Sequence, residues 1–454
     1  MSRIEIETPI GPISADLDDL SEDLSYLLSK VKKTDKVDES VEAFLGIAND
    51  DDTVAVESKR TYYHDRSYIF WMDAMLTVLE NDFRIVKTEN YNYGNNKTAP
   101  IWFDEKVGDK TVKVPHKLVM FVESKTNVEE RFVITFSPFD EFEIDMCFQF
   151  LSDNGFDYAT FWETVEDYFY NQGLLKNAHF SADFKLLDTE PFTWNHMVIK
   201  DSHRRSLERN LVRFIDSVEL FQSKGLRGSR GVLLAGPPGT GKTLTCKVLM
   251  SEIDATVLYV ARDAIQNVGQ ITELYKMARR FSPAIVILED IDTLGGLGRD
   301  EADHPLLGEF LNCLAGVEEN NGVVTLATTN HPEKLDWALT DRPGRFDVRI
   351  TFDYPDADIR LAILEKYLEP FNTKKLSLKK IIKRTDNFSG AYLQELVQSA
   401  FMLAHEECGY CAEPQITLTH LEQAMELLES QRRKVSREKN LSYGDEVTIE
   451  ELYN

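Results

Sequence analysis

The sequence predicts an α/β protein: a parallel sheet with crossover helices in its second half, a wholly helical region after it, and an α+β domain in front. Three observations carry this. From about residue 191, short apolar strands alternate with helical stretches, the order that a parallel sheet with crossover helices requires. After Pro355 the apolar spacing becomes wholly helical. Between 62 and 188, alternating β-type runs lie between two helical segments, which suits an α+β domain.

Taken in order, residues 1–60 carry a helical segment with Leu17, Leu20, Leu24, Leu27, Leu28 and Val31 on one face, among acidic clusters that read as solvated loops. Residues 61–190 hold a helix over Arg66–Leu79. Strand-like runs follow at Phe83–Tyr93, Thr111–Glu123, Arg131–Phe136 and Glu143–Phe150, then a helix over Tyr158–Tyr170. That helix's aromatics, Phe161, Trp162, Tyr168 and Phe169, read as core rather than as a ligand platform. Residues 191–355 place strands at Gly231–Ala235, Thr256–Ala261, Ala284–Leu288, Gly322–Ala327 and Val348–Phe352. Residues 356–430 form the helical region, with helices at Ile359–Leu368, Leu376–Arg384, Ser389–Glu407 and Thr419–Glu429. A tail, 431–454, begins with the basic cluster Arg432-Arg433-Lys434 and ends acidic.

With 454 residues, the chain can bury more than one core. Its 51 lysines and arginines against 77 aspartates and glutamates leave a net charge of −26, which disfavours general binding to nucleic acid or anionic lipid. No apolar run is long enough to span a bilayer, and the first residues lack a signal core, so a cytoplasmic protein is expected. Five cysteines are too few for a disulfide framework. The lone pair Cys408 and Cys411 lacks a second pair to complete a metal site and reads as reduced thiols near a helix end.

Chemistry concentrates in four motifs. Gly236-Pro237-Pro238-Gly239-Thr240-Gly241-Lys242-Thr243, followed by Leu244, lies between a strand and a helix. Its glycines let backbone N–H groups converge on phosphates at the helix's positive end. Lys242 can reach the β- and γ-phosphates of ATP, and the Thr243 hydroxyl can bind Mg²⁺. The apolar strand from Ala284 ends in Glu289 and Asp290, the carboxylates that a Mg²⁺ shell and an attacking water need. Asn330, at the end of the next strand, can help place that water. In Arg342-Pro343-Gly344-Arg345, a Pro-Gly turn keeps the two arginines from folding back onto their own phosphate loop. They suit a finger given to a neighbouring subunit, although alone they would read as surface arginines.

In order and spacing, these motifs resemble the AAA family within the AAA+ ATPases, over about Thr193 to Glu429. The resemblance implies a P-loop domain with a five-stranded parallel sheet, a C-terminal helical lid, and a homo-hexamer or similar ring with ATP between subunits. It makes Lys242 and Thr243 the phosphate-loop residues, Asn330 the polar sensor, and Arg342 and Arg345 trans-acting fingers. It also brings Gly390 and Ala391 of the Ser-Gly-Ala turn to the nucleotide. The Glu-Asp order resembles relatives of the mitochondrial Rieske-protein translocase, with Glu289 in the Mg²⁺ role and Asp290 activating water.

Two further departures stand out. Ala264–Gly269 lacks the aromatic–apolar–Gly tripeptide of peptide-threading pores, and Tyr367 stands where many relatives carry a histidine near adenine. His405-Glu406 has no second histidine, so no HExxH zinc protease motif is present. The ending Leu452-Tyr453-Asn454 matches the hydrophobic–Tyr–any tail by which proteasomal ATPases dock on a peptidase ring, or is an ending without function. The expected function is an ATP-hydrolysing ring motor that remodels, disassembles or translocates a protein client chosen by the N-terminal domain. The alternatives are an ATP-gated assembly switch and, less favoured by charge, a nucleic-acid motor.

Overall fold

In the computed structural model the described residues are 3–8, 11–16, 36–47, 56–63, 66–92, 96–138, 144–187, 191–261, 265, 269–293, 305–315, 319–340, 344–373 and 376–442. They form two compact units, Met1–Tyr168 and Phe169–Asn454. Residues 169–187, which composition groups with the front domain, therefore go with the second unit. The helix expected around Leu17–Val31 lies outside the described residues.

The first unit opens with a hairpin of β1 (Arg3–Thr8) and β2 (Gly11–Asp16), followed by helix α1 (Lys36–Leu45). Its main sheet is antiparallel. It comprises β3 (Val56–Tyr63), β4 (Phe83–Tyr91) after helix α2 (Ser67–Asp82), β5 (Lys97–Thr98), β6 (Ile101–Val107), β7 (Lys110–Ser124), β8 (Arg131–Pro138) and β9 (Ile144–Leu151). The strand order is β3-β9-β8-β7-β4-β5, with β6 on the first half of β7.

Period-2 alternation explains its two faces. Val119, Phe121 and Val133 pack with Val41 and Leu45 of α1. Register puts Val122, Phe132 and Phe150 on the opposite face. There Phe132 stacks on Phe156 at 4.0 Å, and Phe148 meets Trp162 of helix α3 (Tyr158–Asn171) at 6.3 Å. Phe161 and Phe169 are buried. The expected strands and helices appear with ends moved by a few residues. Sequence reasoning missed β3 and β6, which bury only one residue each and carry little apolar alternation.

Burial on both sides makes the four inner strands of the second unit near-continuous apolar runs. The strands are β10 (His179–Ser181), β11 (Arg230–Ala235), β12 (Thr256–Val260), β13 (Ala284–Leu288), β14 (Val323–Thr329) and β15 (Val348–Thr351). All pair in parallel, in the order β10-β12-β13-β14-β11-β15. The five expected strands are present, and β10 adds a sixth at the β12 edge. Three residues are too short to show a period.

One face of the sheet is covered by helix α4 (Lys242–Glu252) through Cys246, Val248 and Leu249, together with Leu207, Leu211 and Phe214. Helix α5 (Gln270–Arg280) buries Tyr275, whose hydroxyl pairs with Thr325 Oγ1 at 2.7 Å. The start of α5 is capped by Glu309 of helix α6 (Pro305–Ala315), whose carboxylate accepts from the N–H groups of Gly269 and Thr272 at 2.8 Å each.

The lid contains α7 (Ala357–Leu368), α8 (Lys379–Arg384), α9 (Gly390–Glu407) and α10 (Leu418–Ser442) around Leu364, Leu393, Leu396, Ala400, Leu421 and Met425. Asp356 caps α7 by accepting from Ile359 N–H at 3.0 Å. The sequence expectation fails at the end of α9, where Cys408 and Cys411 are joined as a disulfide. Left-handed Gly409 and Tyr410 reverse the chain there and bring the two Cα atoms to 5.7 Å, within bridging distance. Among the described residues, no helix is long and apolar enough to cross a membrane.

Candidate nucleotide site

Parallel register sets the C-terminal ends of three neighbouring strands side by side. Ala235 pairs with Thr329, and Leu288 with Ala327. The residues that follow are therefore neighbours: Gly236 after β11, Asn330 after β14, and Glu289 and Asp290 after β13. Residues some 90 positions apart meet because the chain crosses over between parallel strands.

The loop after β11 turns through three glycines in left-handed conformations, Gly236 (φ 146°), Gly239 (φ 74°) and Gly241 (φ 103°). Gly241 opens α4 with no side-chain cap, so the first-turn N–H groups of that helix are left to a ligand. Lys242 is buried, and its ammonium donates to the carbonyls of Gly236 (2.7 Å) and Pro237 (2.9 Å) and to Asn330 Oδ1 (2.8 Å). Burial pushes the lysine pKa down, with Asp290 and Asp292 opposing it. A polyanion at the loop would restore what burial removes.

The Asn330 amide Nδ2 donates to Asp290 Oδ1 at 2.8 Å, which extends the chain to Lys242–Asn330–Asp290. Asp292 holds Asn330 in place by accepting from its N–H (3.0 Å) and from the Thr329 hydroxyl (2.6 Å). Asp290 itself is left-handed (φ 49°), with its N–H on Thr328 Oγ1 at 3.0 Å. A non-glycine residue in that region costs of order 1–2 kcal/mol, and such strain collects at functional sites.

Glu289 differs from its neighbour. Asp290 lines the cleft and Glu289 does not. Its Oε2 accepts from the Tyr259 hydroxyl at 2.5 Å, while its buried Oε1 has no hydrogen-bond partner. Burial, with the bond to Glu289 second, pushes the Tyr259 hydroxyl pKa up.

The cleft encloses about 320 Å³ and is bounded by the loop from Pro238 to Leu244, by Asp290 and Asn330, and by the lid. Gly390 and Ala391 lie where the motif suggests. The Ala391 N–H donates to the Gly239 carbonyl at 3.1 Å. A Cβ on Gly239 would stand 2.8 Å from both Ala391 Cβ and Ser389 Oγ. Tyr367 lines the opposite wall with Ile363 and Lys366. Sequence reasoning missed His196, Met197 and Val198, which complete that wall from the segment before β11. They carry no motif beyond the turn at Trp194–His196.

Arg345 lies elsewhere. A Cβ on Gly231 would meet the Arg345 carbonyl, so Arg345 sits at the start of β11. Five residues of strand, about 16 Å, separate that point from Gly236 at its other end. The Arg345 guanidinium donates to the Ala338 carbonyl. Arg342 lies outside the described residues, as do Leu452, Tyr453 and Asn454.

An apolar wall beside a buried ammonium and an uncapped helix start fits a ligand with a ring at one end and several negative charges at the other. No group of three His, Cys, Asp or Glu able to hold a metal occurs among the described residues. A divalent ion here would take most of its ligands from phosphate and water, which suits Mg²⁺ beside Thr243 and Asp290.

Comparisons with known proteins agree with this site. Residues 232–354 match the ATPase family associated with various cellular activities (AAA), and residues 375–423 match the AAA+ lid domain. The ATP-dependent zinc metalloprotease FtsH 2 of Salinibacter ruber is 35% identical over 51% of this chain and 36% of its own length. ATPase family gene 2 protein of Saccharomyces cerevisiae is 35% identical over 51% of this chain and 31% of its own. The ATP-dependent zinc metalloprotease YME1L1 of Mus musculus is 32% identical over 51% and 35%. The chain thus spans about a third of the length of these relatives. It carries an ATPase domain of the AAA family, followed by the AAA+ lid.

Proposed function

We propose that the chain hydrolyses ATP with Mg²⁺ as part of a ring, and uses the turnover to remodel, disassemble or translocate a protein client bound through the unit that ends at Tyr168. The observation that carries this is the hydrogen-bonded chain Lys242–Asn330–Asp290 across three adjacent strand ends, inside the cleft between loop and lid.

The glycine loop and the start of α4 bind the triphosphate, and Lys242 neutralises its β- and γ-oxygens. Asn330 and Asp290 orient a water in line with the terminal phosphorus, and Asp290 takes a proton from that water as its oxygen bonds to the phosphorus. The bond from that phosphorus to the β–γ bridging oxygen breaks, and ADP and phosphate leave. Thr243, with Asp290 beside it, would hold a bound Mg²⁺, which would supply charge neutralisation to the phosphates. Arg345, about 16 Å along β11 from its own loop, acts on a neighbour's site, which gives the ring its catalytic purpose.

The position of Glu289, turned to Tyr259 and away from the cleft, favours a second reading, in which slow hydrolysis times the release of an ATP-assembled ring. Size measurement and steady-state hydrolysis with ADP, ATP and a slowly hydrolysed analogue test both. A ring with client-stimulated turnover supports the motor, and a ring whose turnover ignores clients supports the switch. Unaltered turnover in Lys242→Ala would sink both.

A further inference from the structure

The basic cluster at the start of the tail has no part in the site described above, yet its first member reaches the lid turn. Arg432, on α10, lays its guanidinium over the Phe388 ring at 4.7 Å and over the Tyr392 ring at 4.9 Å. It also donates to the Asn387 carbonyl at 3.5 Å. Asn387 is left-handed (φ 58°), the conformation in which that carbonyl is presented. A second strap holds α10 nearby: Arg384 of α8 makes a two-pronged pair with Glu429 at 3.1 and 2.9 Å.

The same six-residue stretch, 387–392, meets the phosphate loop. Ala391 N–H bonds to the Gly239 carbonyl, and Ser389 and Ala391 close over Gly239 so tightly that no Cβ fits there. One turn is thus touched by the phosphate loop and by Arg432. A freely solvated arginine would keep its rotamer freedom rather than hold two rings and a carbonyl at once.

We propose that Arg432 is a positioning residue for nucleotide: by clamping Phe388 and Tyr392, α10 seats the Ser389–Ala391 turn on the phosphate loop and sets nucleotide affinity. This rests on the nucleotide reading of the cleft. It makes α10 a handle on that affinity, so whatever pulls this helix away from the rest of the lid speeds nucleotide release.

The test measures binding of a fluorescent ADP analogue, and kcat and KM for ATP, on the full chain. Arg432→Ala is expected to weaken ADP and raise KM for ATP about tenfold, with kcat changed less than KM. Arg432→Lys, which keeps the charge over the rings, should recover part of the loss, and Arg432→Gln should not. ADP affinity within twofold of the parent in Arg432→Ala, even with a lowered melting temperature, overturns the proposal, because a merely structural clamp would do that. Should Arg432→Ala not fold, Tyr392→Leu removes one ring of the clamp and is expected to weaken ADP about threefold. Lys242→Ala separates the two levels. If it binds ADP like the parent, the nucleotide reading fails. If it loses ADP while Arg432→Ala does not, only the clamp fails.

Discussion

At the scale of single residues, the site combines groups that are costly to hold. Lys242 is buried as an ammonium, and what offsets the cost is three acceptors now and a polyanion when one binds. Lys242→Ala is expected to abolish retention of nucleotide in equilibrium binding. Glu289 is less well provided, with one donor for two oxygens. Tyr259→Phe removes that donor and leaves a buried carboxylate unsatisfied. Urea unfolding of the second unit should then show a loss of about 1–3 kcal/mol. In a double-mutant cycle with Glu289→Gln the two losses should not add, because both act on one contact. Gly239→Ala meets both a left-handed backbone and the 2.8 Å approach of Ser389 and Ala391. The lid turn must lift, and KM for ATP should rise more than tenfold, with the shift visible in steady-state kinetics.

At the scale of elements, burial decides which strands the sequence reveals. The central strands β7 and β8 are buried on both faces and stand out, whereas β3 is mostly exposed and β6 buries only one residue, and neither does. In β4 the sheet of the first unit holds a buried carboxylate, Glu89. Burial alone would raise its pKa. Hydrogen bonds from Lys97 (2.5 Å), Tyr91 (2.6 Å) and Lys87 (3.1 Å) outweigh burial and hold it at about 2, against an ordinary 4.5. A depressed carboxylate contributes stability that is present above its unfolded pKa and lost as pH falls through its folded pKa. The first unit should therefore lose stability as pH falls from about 4.5 to about 2. Near-UV circular dichroism should follow the loss, and Glu89→Gln should flatten that part of the profile.

At the scale of the whole molecule, the chain holds the phosphate loop at one end of β11 and Arg345 at the other, so under the proposed function a finger on that loop would have to come from a second chain. Arg345→Ala and Lys242→Ala should each be inactive alone. Mixed in equal amounts, they should recover about a quarter of parental ATPase activity, because half of the loops would meet half of the fingers. No recovery on mixing, with rings shown by light scattering, would count against a finger given in trans. Asp290→Asn should keep nucleotide while losing turnover, and hold the ring assembled for recovery of a client. Under the proposed function the antiparallel unit would choose the client, and its apolar alternation announces a sheet and no chemistry.

The amino-acid sequence alone determined the parts whose chemistry is local. A glycine loop between strand and helix, an apolar strand ending in carboxylates, and a Ser-Gly-Ala turn each need only a few consecutive residues, so each was legible. Tertiary structure decided what depends on distance through space. Strand order β13-β14-β11 brought Asp290, Asn330 and Lys242 into one hydrogen-bonded chain, a left-handed turn joined Cys408 to Cys411, and Met197 and Val198 became a wall of the cleft. The division between Asp290 and Glu289 was also settled there. Adjacent residues leave a strand in different directions, and only the packed neighbours, Asn330 for one and Tyr259 for the other, decide which acid faces the cleft.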